Sequence, residues 1–541
     1  MRALLIATCA LLALPVLGVW AAWLGFDRAA ADTLSHLSAT VLPAYALQSL
    51  WLALGVAIGV ALVGGGAATL VALFQFPGRR VFEWALLLPM AMPAYVLAYA
   101  YTDALQPSGP VQSSLRGVLG GDTTIPAALW PDVRGLPGAV VLFVLALYPY
   151  AFVLVRASLA ERAAGLMEAA RLLGAGLRRR LFEVALPLAR PALAAGVLLA
   201  LMETLADYGV GSYFGLATFT TGIYKAWLAM DDRIAAAQLA SLLLLVVASL
   251  LWLERRAQSR LRFAGSRGAG ASGHDARPVV LTGPAGWLAT AVCAAPVLLG
   301  FVLPCGWLAR LVWIEAGHGE VGLPLARFAG WAWHTLTLAG TAAVLATLLA
   351  MLLGAWQRAE PPRAWSWLRS GARIVSLGYA VPGAVIAVGL LLPLGLVQAR
   401  WPGSAAGVWL TSTVLGLVYA YVVRFSAVAM QSVEAGYARI PVSIDDSARL
   451  LGAGVWRTWR ELHRPLLRRS ALAAGLLVFV DVMKELPATL LLRPFGVDTL
   501  AVVAYNLARD ERLAEAALPS LAIVAVGLLP VALLSRAMRG R

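Results

Sequence analysis

Long apolar runs recur along nearly the whole chain, without the every-other-residue alternation of a strand; LLLLVVASLLWL over 242–253 is typical. A helix needs about 20 apolar residues to cross a bilayer, whereas barrel strands alternate with period two. The pattern therefore predicts an all-α integral membrane protein. Twelve candidate spans lie near 3–25, 45–73, 84–105, 137–158, 192–214, 235–254, 285–313, 332–356, 372–396, 405–428, 470–492 and 516–536. Two of the polar stretches between them are written alike. Residues 168–187 read EAARLLGAGLRRRLFEVALP, and residues 446–465 read DSARLLGAGVWRTWRELHRP. The shared RLLGAG begins at Arg171 and again at Arg449, 278 positions on. A basic amphipathic helix between spans either lies on lipid or docks on another protein. Two copies with the same glycine and proline offsets favour docking.

The first copy places Glu168, Ala169 and Ala170 at a helix start, and Gly174 where that helix must end. Leu172, Leu173 and Leu177 supply an apolar face, Arg171 and Arg178–Arg180 a charged one. Leu186 and Pro187 mark the return to the next span, since proline interrupts the backbone ladder. The second copy carries Asp446, Ser447, Ala448, Gly452 and Pro465 at the matching positions. Its acidic start is shorter, and Arg464 replaces the leucine before the proline, so the two loops need not bind a partner equally.

Composition agrees with the span pattern. Hydrophobic residues make up 61% of the 541, charged residues 13%, and mean hydropathy is +0.79, which excludes a soluble globular class. The net charge of +15 would suit nucleic acid, but its location argues for a membrane beside anionic lipid instead. With a cytoplasmic N-terminus, segments on the inner side hold 31 of the 43 Lys and Arg. The positive-inside rule then places both termini in the cytoplasm. Residues 1–25 read as a retained first span; a cleaved signal peptide with Arg2 as its basic start is the alternative.

The basic, Gly- and Ser-containing stretch 255–284 reads as a cytoplasmic linker between two modules, 1–254 and 285–541. Each module has six spans and one basic loop, 156–191 in the first and 424–469 in the second. ALAAG at Ala192–Gly196 returns at Ala471–Gly475. Two halves of the same orientation build a site on an axis along the membrane normal.

Charge also falls inside the spans. The helix after each basic loop carries carboxylates at i and i+4: Glu203 and Asp207 in the first, Asp481 and Glu485 in the second, with Lys484 beside them. At the 278 offset Glu203 matches Asp481 and Asp207 matches Glu485. A charge at mid-bilayer costs at least about 2.5–3.5 kcal/mol, so these groups face a path or a partner. They line a translocation path or gate, or they pair with Lys484 to hold the halves together. Carboxylates would also suit a hard cation, so a metal role is left unassigned. Pro89 and Pro93, echoed by Pro382, are candidates to kink spans around a cavity.

Other chemistry is not readable. Cys9, Cys293 and Cys305 lie in apolar runs as small hydrophobes. The five histidines show no metal spacing, and no nucleophile motif appears. The two lysines, Lys225 and Lys484, follow Tyr224 and Met483, so neither completes the G-x4-G-K-[ST] that cradles nucleotide phosphates. ATP chemistry, if used, belongs to a separate subunit.

The spacing E-A-A-x3-G-x9-[IV]-x-L-P, from Glu168 to Pro187, resembles the cytoplasmic coupling loop of ABC-importer permeases. With ETLADYG (203–209), TFTTGIYKAW (218–227) and MKELPATLLLRPFGVDTLA (483–501), nearly the whole chain resembles fused permeases of iron(III)-type importers. Relatives in that superfamily serve thiamine, polyamines and sulfate. The resemblance implies a type I importer permease of the bacterial inner membrane, and no enzyme. It also implies two ATPase subunits using ATP and magnesium, and a periplasmic binding protein that selects the solute. No cofactor is expected on the chain itself, and no partner beyond these and lipid.

Overall fold

The computed structural model describes residues 2–24, 28–106, 109–119, 130, 133–160, 164–265, 279–318, 323–359, 378, 381–402 and 405–539. Among them, regular structure is helical except for one two-residue parallel strand pair, Phe74–Gln75 against Val279–Val280. Nine helices among the described residues are long and apolar enough to cross a membrane, or ten if one bent pair counts as a span. This is the all-α membrane class that the apolar runs predict.

Three of the twelve predicted stretches are not among these nine: two are interrupted, and the third, 470–492, holds a helix, Arg464–Met483, that carries Arg464, Arg468, Arg469 and Asp481. Residues 2–18 form a helix that stops before a second short turn at Ala21–Leu24. The stretch 84–105 bends by 90° between Arg79–Ala91 and Ala94–Arg116. There Pro93, extended at φ −60° and ψ 141°, starts the helix Ala94–Leu105. Pro382 does the same for Gly383–Arg400, and the start of the span expected over 372–396 lies outside the described residues. Both prolines begin helices, Pro93 at the 90° bend itself, because a proline ring suits a helix start, where no amide partner is needed. The end of Arg464–Met483, within 470–492, belongs to the site described below.

The chain folds as two compact units, each drawing on both sequence halves. One comprises Met1–Leu42, Gly222–Leu244 and Pro324–Val503; the other comprises Pro43–Thr221, Leu245–Leu323 and Ala504–Arg541. In the first unit the helices Leu325–Ala359, Leu415–Tyr437 and Arg464–Met483 pack together. Buried Ala339, Ala342, Ala346 and Ala350 recur at helical spacing there, and such small side chains let backbones approach closely. The N-terminal helix belongs to the same unit. A Cβ on its Gly18 would lie 2.1 Å from the Gly389 carbonyl oxygen, so that crossing excludes any side chain.

The second unit has its apolar core around Leu86, Leu87, Tyr148, Phe152 and Leu159. Its strand pair ties residues just after 266–278 to the end of Leu42–Leu73, and the Leu281 amide adds a hydrogen bond to the Gln75 carbonyl at 2.9 Å. The linker expected over 255–284 is thereby shortened. Its first residues continue the helix Arg233–Gly265, its middle lies outside the described residues, and its end is pinned.

Candidate functional site

The two RLLGAG segments fold alike. The first helix runs Ala164–Leu172 and the second Val442–Leu450. Each begins about a turn before the acidic residue that the sequence suggests as its start, so Glu168 and Asp446 sit within the helix. Gly174 ends the first at φ +82° and Gly452 the second at φ +78°. The Gly174 amide donates to Arg171 at 2.9 Å and the Ala175 amide to Ala170 at 2.9 Å. In the second copy Gly452 donates to Arg449 at 2.9 Å and Ala453 to Ala448 at 3.0 Å. This double bond across a left-handed residue satisfies the last helical carbonyls, and only glycine enters it without strain. A Cβ at either glycine would meet nothing within 4 Å. The constraint is backbone angle, not crowding.

The ion pairs repeat too. Arg171 faces Glu168 and Arg449 faces Asp446, both at 3.8 Å, while Arg179–Glu183 and Arg457–Glu461 close at 2.7 and 3.1 Å. Exposed pairs of this kind contribute little stability each; their value lies in showing one template used twice. A π-helical turn follows, Arg180–Ala185 in one copy and Trp459–His463 in the other. It leads directly into Leu186–Ala206, with Pro187 in the first turn, and into Arg464–Met483, with Pro465 there. Leu186 and Pro187 thus open the helix that follows the loop.

The tips are apolar and bare. Leu172 and Leu173 are 82% and 87% exposed, and Leu450 and Leu451 are 89% and 85% exposed. Leu177, read from sequence as part of the same face, instead turns toward its own unit's core. Each loop therefore presents two adjacent leucines beside a capped glycine, with Ala169 exposed behind them in the first copy.

The copies differ in how they are held. Asp445, buried on the second helix, accepts hydrogen bonds from His463 Nε2 and from Arg358 Nε, each at 2.6 Å. Arg358 Nη2 donates to the Ile440 carbonyl at 2.6 Å, and the Tyr437 ring stands edge-on to His463 at 5.3 Å. The positions matching Asp445 and His463 in the first copy are Met167 and Ala185, both within an apolar cluster. One joint is ionic, the other greasy. Burial pushes the Asp445 carboxyl up, but the His463 and Arg358 hydrogen bonds outweigh it and hold the carboxyl below its ordinary value. A depressed folded-state value means the contribution is complete above the ordinary carboxylate range and lost as pH falls through the folded value. Asp445→Asn is expected to cost about 3 kcal/mol, because Arg358 loses its buried counter-charge. Hydrogen exchange should then quicken over 442–453 and stay unchanged over 164–175; equal change in both segments would contradict this.

The helices that follow the loops both break. Leu186–Ala206 stops at Asp207, whose Oδ1 accepts the Val210 amide at 2.8 Å as the short helix Gly209–Tyr213 begins. Arg464–Met483 stops before Glu485, which accepts the Ala488 amide at 2.8 Å, the Thr489 amide at 3.0 Å and the Thr489 hydroxyl at 2.6 Å, opening Pro487–Leu492. Matching bonds at the 278 offset show that the two carboxylates do the same local work. Each meets amides left unpaired at a helix start. The spans expected over 192–214 and 470–492 are therefore not continuous, and the i,i+4 pairs do not share one helical face across the break.

The second break is neutralised by a residue that sequence reading assigned to a loop. Arg424 lies within Leu415–Tyr437, only 8% exposed, and its Nη1 meets Glu485 Oε1 at 2.8 Å. Lys484 pairs with Asp481 at 2.9 Å. A lone arginine in the apolar string YVVRFSAV was the available signal, since an intramembrane charge implies a partner. Gly383 makes room for the pair: a Cβ there would sit 2.5 Å from Glu485 Oε1 and 2.6 Å from Arg424 Nη1. Glu203 is half-buried one turn before the first break. Among the described residues, no three His, Cys, Asp or Glu side chains converge as a metal site.

The profile of the family described as binding-protein-dependent transport system inner membrane component matches residues 61–263. The chain is similar to the Fe(3+)-transport system permease protein FbpB 2 of Haemophilus influenzae, 24% identical over 493 residues, covering 89% of this chain and 87% of that one. It is similar to the ferric transport system permease protein FbpB of Actinobacillus pleuropneumoniae, 24% identical over 459 residues, 79% of this chain and 61% of that one. A shorter similarity, 29% identical over 211 residues, joins it to the putative 2-aminoethylphosphonate transport system permease protein PhnV of Salmonella typhimurium, with 38% and 75% covered.

Proposed function

We propose that this chain, a two-repeat permease of the binding-protein-dependent transport inner membrane component family, carries ferric iron into the bacterial cytoplasm for an ATP-driven importer. The observation that carries the reading is the duplicated loop with its exposed leucine pair. An apolar tip on a rigid, glycine-capped helix is what a groove on a soluble subunit would grip. Two ATPase subunits, one per loop, would pull on Glu168–Pro187 and Asp446–Pro465, and a periplasmic binding protein would deliver the solute. ATP and magnesium belong to those ATPases. Both termini and both loops would lie on the cytoplasmic side, the side that the positive-inside rule favours for their basic residues.

Iron is favoured over a phosphonate by coverage. The similarity to a permease named for Fe(3+) runs over 89% of the chain, against 38% for the permease named for 2-aminoethylphosphonate. Reconstituted in vesicles with ATPase and binding protein, the chain is expected to accumulate iron only with ATP and an ATPase able to hydrolyse it. Uptake that persists without ATP and collapses with an ion gradient would instead mark a secondary carrier working through Glu203, Asp207, Asp481 and Glu485. Uptake of 2-aminoethylphosphonate in place of iron would move the chain to the phosphonate branch.

A further inference from the structure

The two helix breaks share a backbone design but not a chemistry. At the second, Glu485 is satisfied by Arg424, by two amides and by the Thr489 hydroxyl, and Tyr421 caps Thr489 at 2.6 Å. At the first, Asp207 accepts backbone amides, and among the described residues it forms no ion pair. The stretch of Leu136–Ser158 that matches the surroundings of Arg424 carries Leu145 and Ala146. Asp207 is left without a basic counterpart at the matching position.

Hydroxyl groups gather at the same break. Tyr208 and Ser212 come from the break itself, and the Tyr505 hydroxyl reaches Ser212 at 2.8 Å and Tyr208 at 3.3 Å. Tyr213 stands edge-on to Tyr99, ring centres 4.9 Å apart. Tyr99 is 1% exposed, within Coulombic reach of Asp207 and Tyr505, and among the described residues its hydroxyl has no hydrogen-bond partner. A buried hydroxyl without a partner calls for a water or an ion. Arg134 stands over the Tyr213 ring, within Coulombic reach of its hydroxyl, and 4.0 Å from Glu511.

The second copy lacks all of this. The 278 offset puts Leu486, Leu490 and Leu491 where the first has Tyr208, Ser212 and Tyr213. Counting from the helix-starting prolines Pro93 and Pro382, Tyr99 is matched by buried Val388. The hydroxyls of Tyr99, Tyr208, Ser212 and Tyr213 thus give way to a valine and leucines at the second break, whose own hydroxyls, Thr489 and Tyr421, bond Glu485 and each other.

The geometry points to a transit site for a hard multivalent cation at the first break, held by the Asp207 carboxylate and the hydroxyls of Tyr99, Tyr208, Ser212, Tyr213 and Tyr505. Oxygen donors select hard cations, one carboxylate with neutral hydroxyls binds weakly enough for release, and the paired second break offers no such charge. This deepens the iron reading and rests on it for the identity of the cargo.

Terbium(III), a hard trivalent ion whose emission is sensitised by nearby aromatic rings, tests it on the full chain in lipid nanodiscs without ATPase. Saturable emission is expected, weakened at least tenfold by Asp207→Asn and by Tyr99→Phe, and unchanged by Tyr421→Phe at the second break. Tyr99→Phe removes only an unpaired hydroxyl, so its melting temperature should equal or exceed that of the parent. Emission indifferent to Asp207 and Tyr99, or displaced by ethylammonium as readily as by gallium(III), overturns the site. Terbium bound as described by a chain that imports no iron keeps the site and removes the importer reading. Iron import with no such binding does the reverse.

Discussion

Serine in place of Leu172, Leu173, Leu450 and Leu451 is expected to weaken association with the ATPase subunits by at least about 100-fold, near 2.8 kcal/mol, and to abolish ATP-driven uptake. The side chains are more than four-fifths exposed in this chain alone. Removing them therefore costs the folded chain almost nothing. A buried leucine gains about 1.5–3 kcal/mol over an exposed one, so two per loop leave the stated loss a conservative figure. Serine at only 172 and 173, or only at 450 and 451, should leave one ATPase bound, observable by native mass spectrometry. If the tips rest on lipid instead, the quadruple variant binds ATPase normally and loses affinity for protein-free vesicles.

The largest effect on stability is expected at the buried pair of Arg424 and Glu485. Glu485→Gln keeps one oxygen, which can accept only one of the Ala488 and Thr489 amides, and strands a buried guanidinium, at a cost of about 3–5 kcal/mol. Arg424→Met strands the carboxylate, whose three remaining donors soften the loss. The double variant should recover most of the deficit, since a neutral pair of similar volume avoids both desolvation penalties. Thermal unfolding in detergent of the four proteins measures the coupling. Additive losses would show that the 2.8 Å contact contributes nothing of its own.

The legible parts of this protein are those written in periodicity and repetition. Unbroken apolar runs announce helices, and RLLGAG announces a shared loop whose glycine, proline and acidic positions fold as one template. Less legible were the breaks at Asp207 and Glu485. A hydropathy average passes over a two- or three-residue interruption, and the carboxylates that cap the short helices read equally well as groups facing a path. Arg424 was hidden for the opposite reason: close to a basic loop, it counted as loop charge, although its neighbours Val422, Val423 and Phe425 are apolar. Leu177 misled because amphipathic spacing does not tell which apolar residue meets a partner and which meets its own core. The ionic joint of Asp445, His463 and Arg358 joins residues 87 and 18 positions apart, beyond the reach of any local pattern.

Hydrogen exchange over 164–175 and 442–453, measured on the full chain in nanodiscs before and after adding the ATPase subunit, tests the proposal most directly. Docked tips should slow exchange in both segments together, with the rest of the chain little altered. Segments that exchange at the same rate with and without ATPase would show that these leucines grip nothing, and the coupling role would have to be abandoned.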